Sequence, residues 1–349
     1  MALDSPIVLK HAAGEVRIER RADAPARVAV TLADAERFMP RPVIETRYPT
    51  ELIEKILEVK GLAALGDEIA RDEDPSYVES SLLLDLLAFR PPEWFAGKRI
   101  LDFGCGSGAS TMILARRFPA SEIVGIELEE RLLAIARLRA RFYGFDNVRL
   151  LRSPSGVELP AEIGAVDCLV LSAVFEHLLP DERRLLLPKL WSLLPAGGVL
   201  FLDQTPHRWF PIEPHTTYLP LINYLPDRIA HVYARRCSRL IDAKVTWPQL
   251  LRGGVRGGSE GEILALLRKA GSGDPALLTP DREGVADRID LWHAGGTFHS
   301  YPRGRRLVRD VAKAVKRLTG VEIVPYLSIA VEKTARRDLS PTACAAAGA

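Results

Sequence analysis

Arg99-Ile100-Leu101-Asp102-Phe103-Gly104-Cys105-Gly106-Ser107-Gly108-Ala109-Ser110-Thr111 is the stretch on which the reading of this chain turns. An apolar run ends in a carboxylate, three glycines follow at alternate positions, and small polar residues then open an amphipathic segment. That pattern predicts a strand, a tight turn and a helix N-terminus. Glycine suits such a turn because it adopts positive φ freely and, lacking Cβ, lets the backbone lie against a ligand, while the first N–H groups of the helix have no partner of their own. A packing turn in an α/β sheet is the bland alternative. A second feature favours a nucleotide-like site: Ile123-Val124-Gly125-Ile126-Glu127 is another short apolar run tipped by a carboxylate, followed by a helical pattern from Glu129 to Phe142. A carboxylate at that strand end can accept from both hydroxyls of a ribose.

Two cofactor classes fit this layout. Read as Gly104-x-Gly106-x-x-Ala109, the loop satisfies the relaxed dinucleotide fingerprint, so an NAD-dependent oxidoreductase is one alternative. A non-catalytic scaffold that keeps the cofactor fold is another. Asp102 inside the strand and the extra Gly108 tip the balance, since a pyrophosphate gains nothing from a carboxylate there whereas an amino acid ammonium does.

On these residues, the segment 98–204 resembles the class I S-adenosylmethionine-dependent methyltransferases (type 11/23-like), whose first motif runs hydrophobic-Leu-Asp-x-Gly-x-Gly-x-Gly. The resemblance implies an α/β fold with a doubly wound, mostly parallel seven-stranded sheet and S-adenosyl-L-methionine as cofactor. It also implies that Asp102, Gly104, Cys105, Gly106 and Gly108 surround the methionine moiety, that Glu127 holds the ribose and that Leu128 lies beside the adenine. After the third strand, Asn147 to Leu151, the family often carries an acidic residue for the adenine amino group. This chain departs from that pattern with Arg152-Ser153-Pro154-Ser155, leaving Ser153 as the polar contact. A fourth strand, Val166 to Leu171, leads to Ser172-Ala173-Val174-Phe175-Glu176-His177-Leu178, which the open-sheet rule turns toward cofactor and acceptor. Ser172 is thus a cofactor contact. The pair Glu176-His177 resembles a common element of this family, and His177 is either a base or a residue that orients the loop.

The fifth strand, Val199 to Asp203, opens into the most individual stretch, Thr205 to Pro226, which has five prolines, His207, Glu213, His215, Arg208 and the aromatics Trp209, Phe210, Tyr218 and Tyr224. A long proline- and aromatic-rich loop at a strand's carboxyl end reads as an acceptor-binding segment. It is similar to one found in methyltransferases of bacterial glycan and cell-surface biosynthesis. Three readings of His207, Glu213 and His215 stand side by side: a general base with an orienting carboxylate, metal ligands, or hydrogen bonders that pin the loop. No recognised ligand spacing supports a metal, so the expectation is no metal, with His215, Glu213, His207 and His177 as the catalytic candidates.

Composition sets the bounds. With 349 residues and 47% hydrophobic content, the chain can bury a large core with regions appended to it, and a net charge of +2 gives no drive toward nucleic acid. No apolar run is long enough to span a membrane, the N-terminus has no signal-peptide core, and the four cysteines form no close pair, so a reducing cytoplasm is expected. The division expected is an N-terminal arm and helical cap over 1–95, the cofactor-binding core over 96–204, an acceptor-binding insertion over 205–258, completion of the sheet over 259–333 and a disordered tail over 334–349. The first 45 residues, of mixed charge and with several prolines, read as an arm or small strand element rather than a core. The activity expected is methyl transfer to an oxygen, ahead of nitrogen or carbon, of a small-molecule, glycan or lipid-linked acceptor.

Overall fold

The computed structural model describes residues 5–34, 39–295 and 302–335. The first strands are β1 (Ile7–His11), β2 (Gly14–Arg21), β3 (Ala24–Leu32) and β4 (Val43–Thr46), which pair antiparallel in chain order. Alternation of Val16 and Ile18 with Ala26, Val28 and Val30 turns one face inward, against Tyr48, Leu52, Ile53 and Ile56 at the start of the helix Thr50–Lys60. Of the expected arm or small strand element without a core, the strand element is what forms, and it has a core of its own. The period of two is clear in β2 and β3, and the prolines that argued against it lie in connections or, as Pro25, next to a strand's first residue.

The large sheet holds β5 (Arg99–Phe103), β6 (Glu122–Glu127), β7 (Val148–Arg152), β8 (Cys168–Ser172), β9 (Val199–Pro206), β10 (Asp274–Leu277) and β11 (Tyr326–Thr334). Its order is β10-β11-β9-β8-β5-β6-β7, with β5 to β9 parallel and β11 antiparallel to both its neighbours. The central strands are continuous apolar runs because helices cover both faces. Leu101, Val124, Leu169 and Leu200 meet Trp191 on one face, while Ile100, Ile123, Val170 and Phe201 meet Ile113 and Phe95 on the other. Strand order reverses between β5 and β8, and this switch point is where open α/β sheets bind ligands. Parallel register brings Asp102, Glu127, Ser172 and Asp203 to the carboxyl-end edge.

Helix limits follow local chemistry. Gly61, at φ +81°, ends the helix Thr50–Lys60 before Leu65–Glu73 begins. The helix Arg288–Ala294 is capped by the Asp287 carboxylate, which accepts from the Asp290 N–H at 2.9 Å. The region 205–258 has its own small core of Leu219, Ile222, Ala230, Ala234, Leu250 and Val255. The expected tail lies outside the described residues beyond 335. Among the described residues, no helix is long and apolar enough to cross a membrane.

A buried charge network ties the N-terminal helices to the glycine loop. Arg139, on the helix Glu130–Tyr143, donates to the Ser107 carbonyl at 2.8 Å, the Ser107 hydroxyl at 2.9 Å, the Glu68 carboxylate at 3.1 Å and the Glu68 carbonyl at 2.6 Å. Asp72 lies 3.4 Å from the same guanidinium, and Tyr48 accepts from its Nε. Burial pushes Glu68 toward neutrality, yet Arg139 and Lys60 outweigh it and hold the carboxyl below its ordinary value.

Candidate active site

The glycine loop makes one face of the site. Gly106 has φ +57°, and a Cβ there would meet nothing within 4 Å, so the chain presents bare backbone to open space. Gly108, at φ +90°, precedes the helix Ala109–Arg117, and a Cβ there would lie 2.7 Å from Cβ of Ala136. The alternate glycines therefore serve different ends: Gly108 is required by protein packing, and Gly106 leaves the cradle open. Gly104 packs on the next loop, where a Cβ would approach Val174 to 2.9 Å. The Gly104 and Cys105 N–H groups donate to the Ile126 carbonyl, and Cys105 is buried.

Glu127, at the end of β6, accepts from the Gly106 N–H at 2.9 Å with one oxygen and from the Leu128 and Glu129 N–H groups with the other. Leu128 stands beside it, 44% exposed. Asp102 is buried and accepts from the Ser110 and Thr111 hydroxyls at 2.7 and 2.6 Å. Burial raises its pKa, against these two hydrogen bonds. Asp102 thus braces the helix start behind the loop. Ser153 is turned into its own loop, donating toward the carbonyls of Ser155 and Glu158, so it orders residues 153–158 rather than standing out as a free polar contact.

Ser172, at the end of β8, donates to Asp203 at 2.9 Å, while the other oxygen of Asp203 is buried without a partner. Burial raises this carboxyl to about 7, and buried Asp85 beside it is likewise pushed up by burial and by the like charge of Asp203. Ala173 and Gln204, which follow Ser172 and Asp203, have φ of +52° and +57°. Left-handed backbone at non-glycine residues is strained, and here it occurs at the carboxyl ends of adjacent strands.

A second cluster forms where the 172–178 loop meets the insertion. Glu176 is fully buried; one oxygen accepts from the Thr205 hydroxyl at 2.9 Å, and the other, Oε1, has no hydrogen-bond partner among the described residues. Burial raises its carboxyl to about 7. His177 Nε2 lies 3.8 Å from Oε1, and the His177 and His215 rings are 5.6 Å apart. Burial, then the neighbouring His177, lowers the pKa of His215 and keeps its imidazole neutral. Arg183 clamps the loop, donating to the Leu178 and Gly257 carbonyls at 2.9 and 2.7 Å while lying over the Phe175 ring. Tyr326 of β11 closes the far side, its hydroxyl donating to the Pro214 carbonyl at 2.8 Å and its ring edge-on to His215.

The structure divides the three residues that the sequence grouped. Glu213 is buried and accepts from the N–H groups of His215, Thr216 and Thr217 and from the Thr217 hydroxyl, so the carboxylate pins the turn that carries His215 and is not its acid–base partner. His207 is buried elsewhere: its Nδ1 accepts from the Trp209 N–H at 3.1 Å, and burial with nearby Arg288 lowers its pKa to about 4. It borders a separate cavity of about 520 Å³ with Ser259, Arg288 and Glu322. Of the four catalytic candidates, His177 and His215 come together. Glu176, Asp203 and Tyr326 were missed as site residues; the signal available for the first two was an acidic residue at or just beyond the end of an apolar strand.

A doubly wound sheet with a glycine loop at its switch point and a carboxylate ending the second strand defines a Rossmann-like nucleoside-binding enzyme core. Residues 100–198 match a family model described as a methyltransferase domain. A trans-aconitate 2-methyltransferase of Variovorax paradoxus (strain S110) is 28% identical over 229 residues, 66% of this chain and 70% of that one. One of Methylobacterium radiotolerans is 36% identical over 212 residues, 60% of this chain and 64% of that one. A ubiquinone biosynthesis O-methyltransferase of Acinetobacter baumannii (strain ACICU) is 31% identical over 106 residues, 30% of this chain and 44% of that one. Residues 100–198 thus form a class I S-adenosylmethionine-dependent methyltransferase domain, and the cofactor is S-adenosyl-L-methionine. The residues present fit that molecule, since the bare backbone at Gly106 lies beside the Glu127 carboxylate.

Proposed function

We propose that this enzyme methylates an oxygen of a small-molecule or lipid-linked acceptor held between the 172–178 loop and the 205–258 insertion. The observation that carries the reading is the meeting of Glu176, His177 and His215 two residues from Val174, the side chain against which the glycine loop packs. Cofactor loop and histidines are thereby held in one piece of structure. Gly106 and Glu127 would hold the nucleoside side of the cofactor, and Ser172 the neighbouring strand end. The bound sulfonium supplies an activated methyl group, so the chain's own share is alignment and handling of the acceptor's proton. A neutral imidazole has the lone pair that a hydroxyl proton needs, and burial favours that form of His215.

The insertion also carries exposed apolar side chains, Trp209, Ile212, Tyr218, Leu221 and Tyr224, with Trp209 on the separate cavity that His207 borders and Arg208 over the Trp209 ring. Aromatic surface beside a guanidinium suits an acceptor with an apolar body and an anionic group. Relatives named for trans-aconitate and for ubiquinone biosynthesis favour small-molecule and lipid acceptors over a glycan. The test is transfer of labelled methyl from S-adenosylmethionine to a panel of tricarboxylates, polyprenyl quinols and polyprenyl-phosphate sugars. Product from one class, with a methyl ether or ester by mass spectrometry and loss of turnover in His215→Ala at unchanged S-adenosylhomocysteine affinity, supports the reading. Methylation at carbon or nitrogen, or full turnover in His215→Ala, overturns it.

A further inference from the structure

The Glu176–His177–His215 cluster has the composition of a metal site. One carboxylate oxygen and one ring nitrogen from each histidine lie within 4.8 Å of one another. Two imidazoles and a carboxylate match zinc and related first-row ions, which bind such donors at about 2.0–2.2 Å. Around a tetrahedral ion these donors stand roughly 3.3 Å apart, so the set must draw in by about 1.5 Å at its widest. His177 has room to do so, its side chain being 43% exposed.

Three further observations point the same way. Glu176 Oε1 is buried, has no hydrogen-bond partner among the described residues and lies 3.8 Å from His177 Nε2. A buried carboxylate oxygen without a donor is costly, and an ion would satisfy it. His177 Nδ1 is 2.7 Å from the Arg252 carbonyl, which can only accept, so Nδ1 carries the proton and the lone pair is on Nε2, toward Glu176. Such a backbone carbonyl behind a ligating histidine is the usual outer support of a metal site. Among the described residues, neither ring nitrogen of His215 has a hydrogen-bond partner, and Gly254 backs it, where a Cβ would come within 2.5 Å of the ring and 3.4 Å of Glu176 Cγ.

We infer that Glu176, His177 and His215 bind one divalent first-row transition-metal ion, of which Zn²⁺ is the reference. The remaining coordination positions take water or the acceptor's oxygen. This role rests on the methyl-transfer reading and replaces proton uptake by a free His215: with the lone pairs of His177 and His215 on the ion, the acceptor hydroxyl binds it, its O–H bond breaks with the proton passing to solvent, and the oxygen's electron pair forms the bond to the methyl carbon as the S–CH3 bond breaks, that pair staying on the sulfur of S-adenosylhomocysteine. Binding of the ion itself does not rest on that reading.

The test uses the full chain, stripped with chelator and dialysed, then titrated with Zn²⁺ by calorimetry and with Co²⁺ by visible absorption. The expected result is one equivalent of either ion, d–d bands for Co²⁺, and affinity at least tenfold weaker in His177→Ala and in His215→Ala but unchanged in His11→Ala. No stoichiometric binding, or binding untouched by both substitutions in the cluster, overturns the inference. Should a variant unfold, protection of His177 and His215 from diethyl pyrocarbonate by one equivalent of Zn²⁺ in the wild type decides the question, and unprotected histidines count against it. S-adenosylhomocysteine titrated into the metal-free chain separates the two proposals: metal bound without it fails the methyl-transfer reading alone, and it bound without metal fails the ion alone.

Discussion

Alanine at Gly106 and at Gly108 should fail in opposite ways. Both residues hold left-handed backbone, so either substitution meets the strain of that region, about 1–2 kcal/mol. At Gly106 nothing adds to this, because the new methyl group meets no atom within 4 Å. At Gly108 the methyl group would sit 2.7 Å from Cβ and 3.0 Å from Cα of Ala136, and parting two packed helices adds about 1–3 kcal/mol. Urea unfolding should therefore rank Gly108→Ala as less stable than Gly106→Ala by roughly that margin. Calorimetry with S-adenosylhomocysteine should show the loss of affinity in Gly106→Ala, by at least about tenfold or 1.4 kcal/mol, since its methyl group projects into the cradle. Wild-type affinity in Gly106→Ala, or a larger stability loss there than in Gly108→Ala, would refute the division between an open glycine and a packed one.

Arg139→Met should cost about 3–5 kcal/mol in urea unfolding, because it leaves the buried carboxylates of Glu68 and Asp72 without their shared cation. Asp203 titrates at about 7 in the fold against 3.8 in the free side chain, so the folded state binds the extra proton between those values. The contribution of this carboxyl is then fully present below about pH 4 and is lost as pH rises toward 7, a decline that melting curves should show and that Asp203→Asn should reduce. Glu127→Ala should weaken S-adenosylhomocysteine binding about tenfold or more, with equal affinity in calorimetry telling against its ribose role.

What the sequence revealed and what it hid differ in range. The glycine loop and the strands around it were legible because their signals are local: an apolar run, a carboxylate and glycines within thirteen residues of chain, Arg99 to Thr111. The N-terminal sheet was legible in principle from Val16, Ile18, Val28 and Val30, an alternation that the prolines around it obscure. The histidine cluster was hidden for a different reason. Its members come from separate loops, and only the close approach of Gly254 and the clamp of Arg183 decide that His215 meets His177 while His207 does not. Glu213 misled because a carboxylate two residues from a histidine looks like an acid–base pair, whereas its partners are backbone N–H groups that any sequence would supply.

The position of β11 bears on how this protein is made. It runs between β9 and β10 and hydrogen-bonds to both, so β10, though synthesised earlier, has no neighbour in the sheet until residues 326–334 have left the ribosome. The nascent polypeptide must therefore carry β9 with a bare flank until those residues emerge, a template for unwanted pairing with other chains. Stalling synthesis before Tyr326 should yield a chaperone-bound, protease-sensitive species, and release of that last strand should convert it to the resistant form.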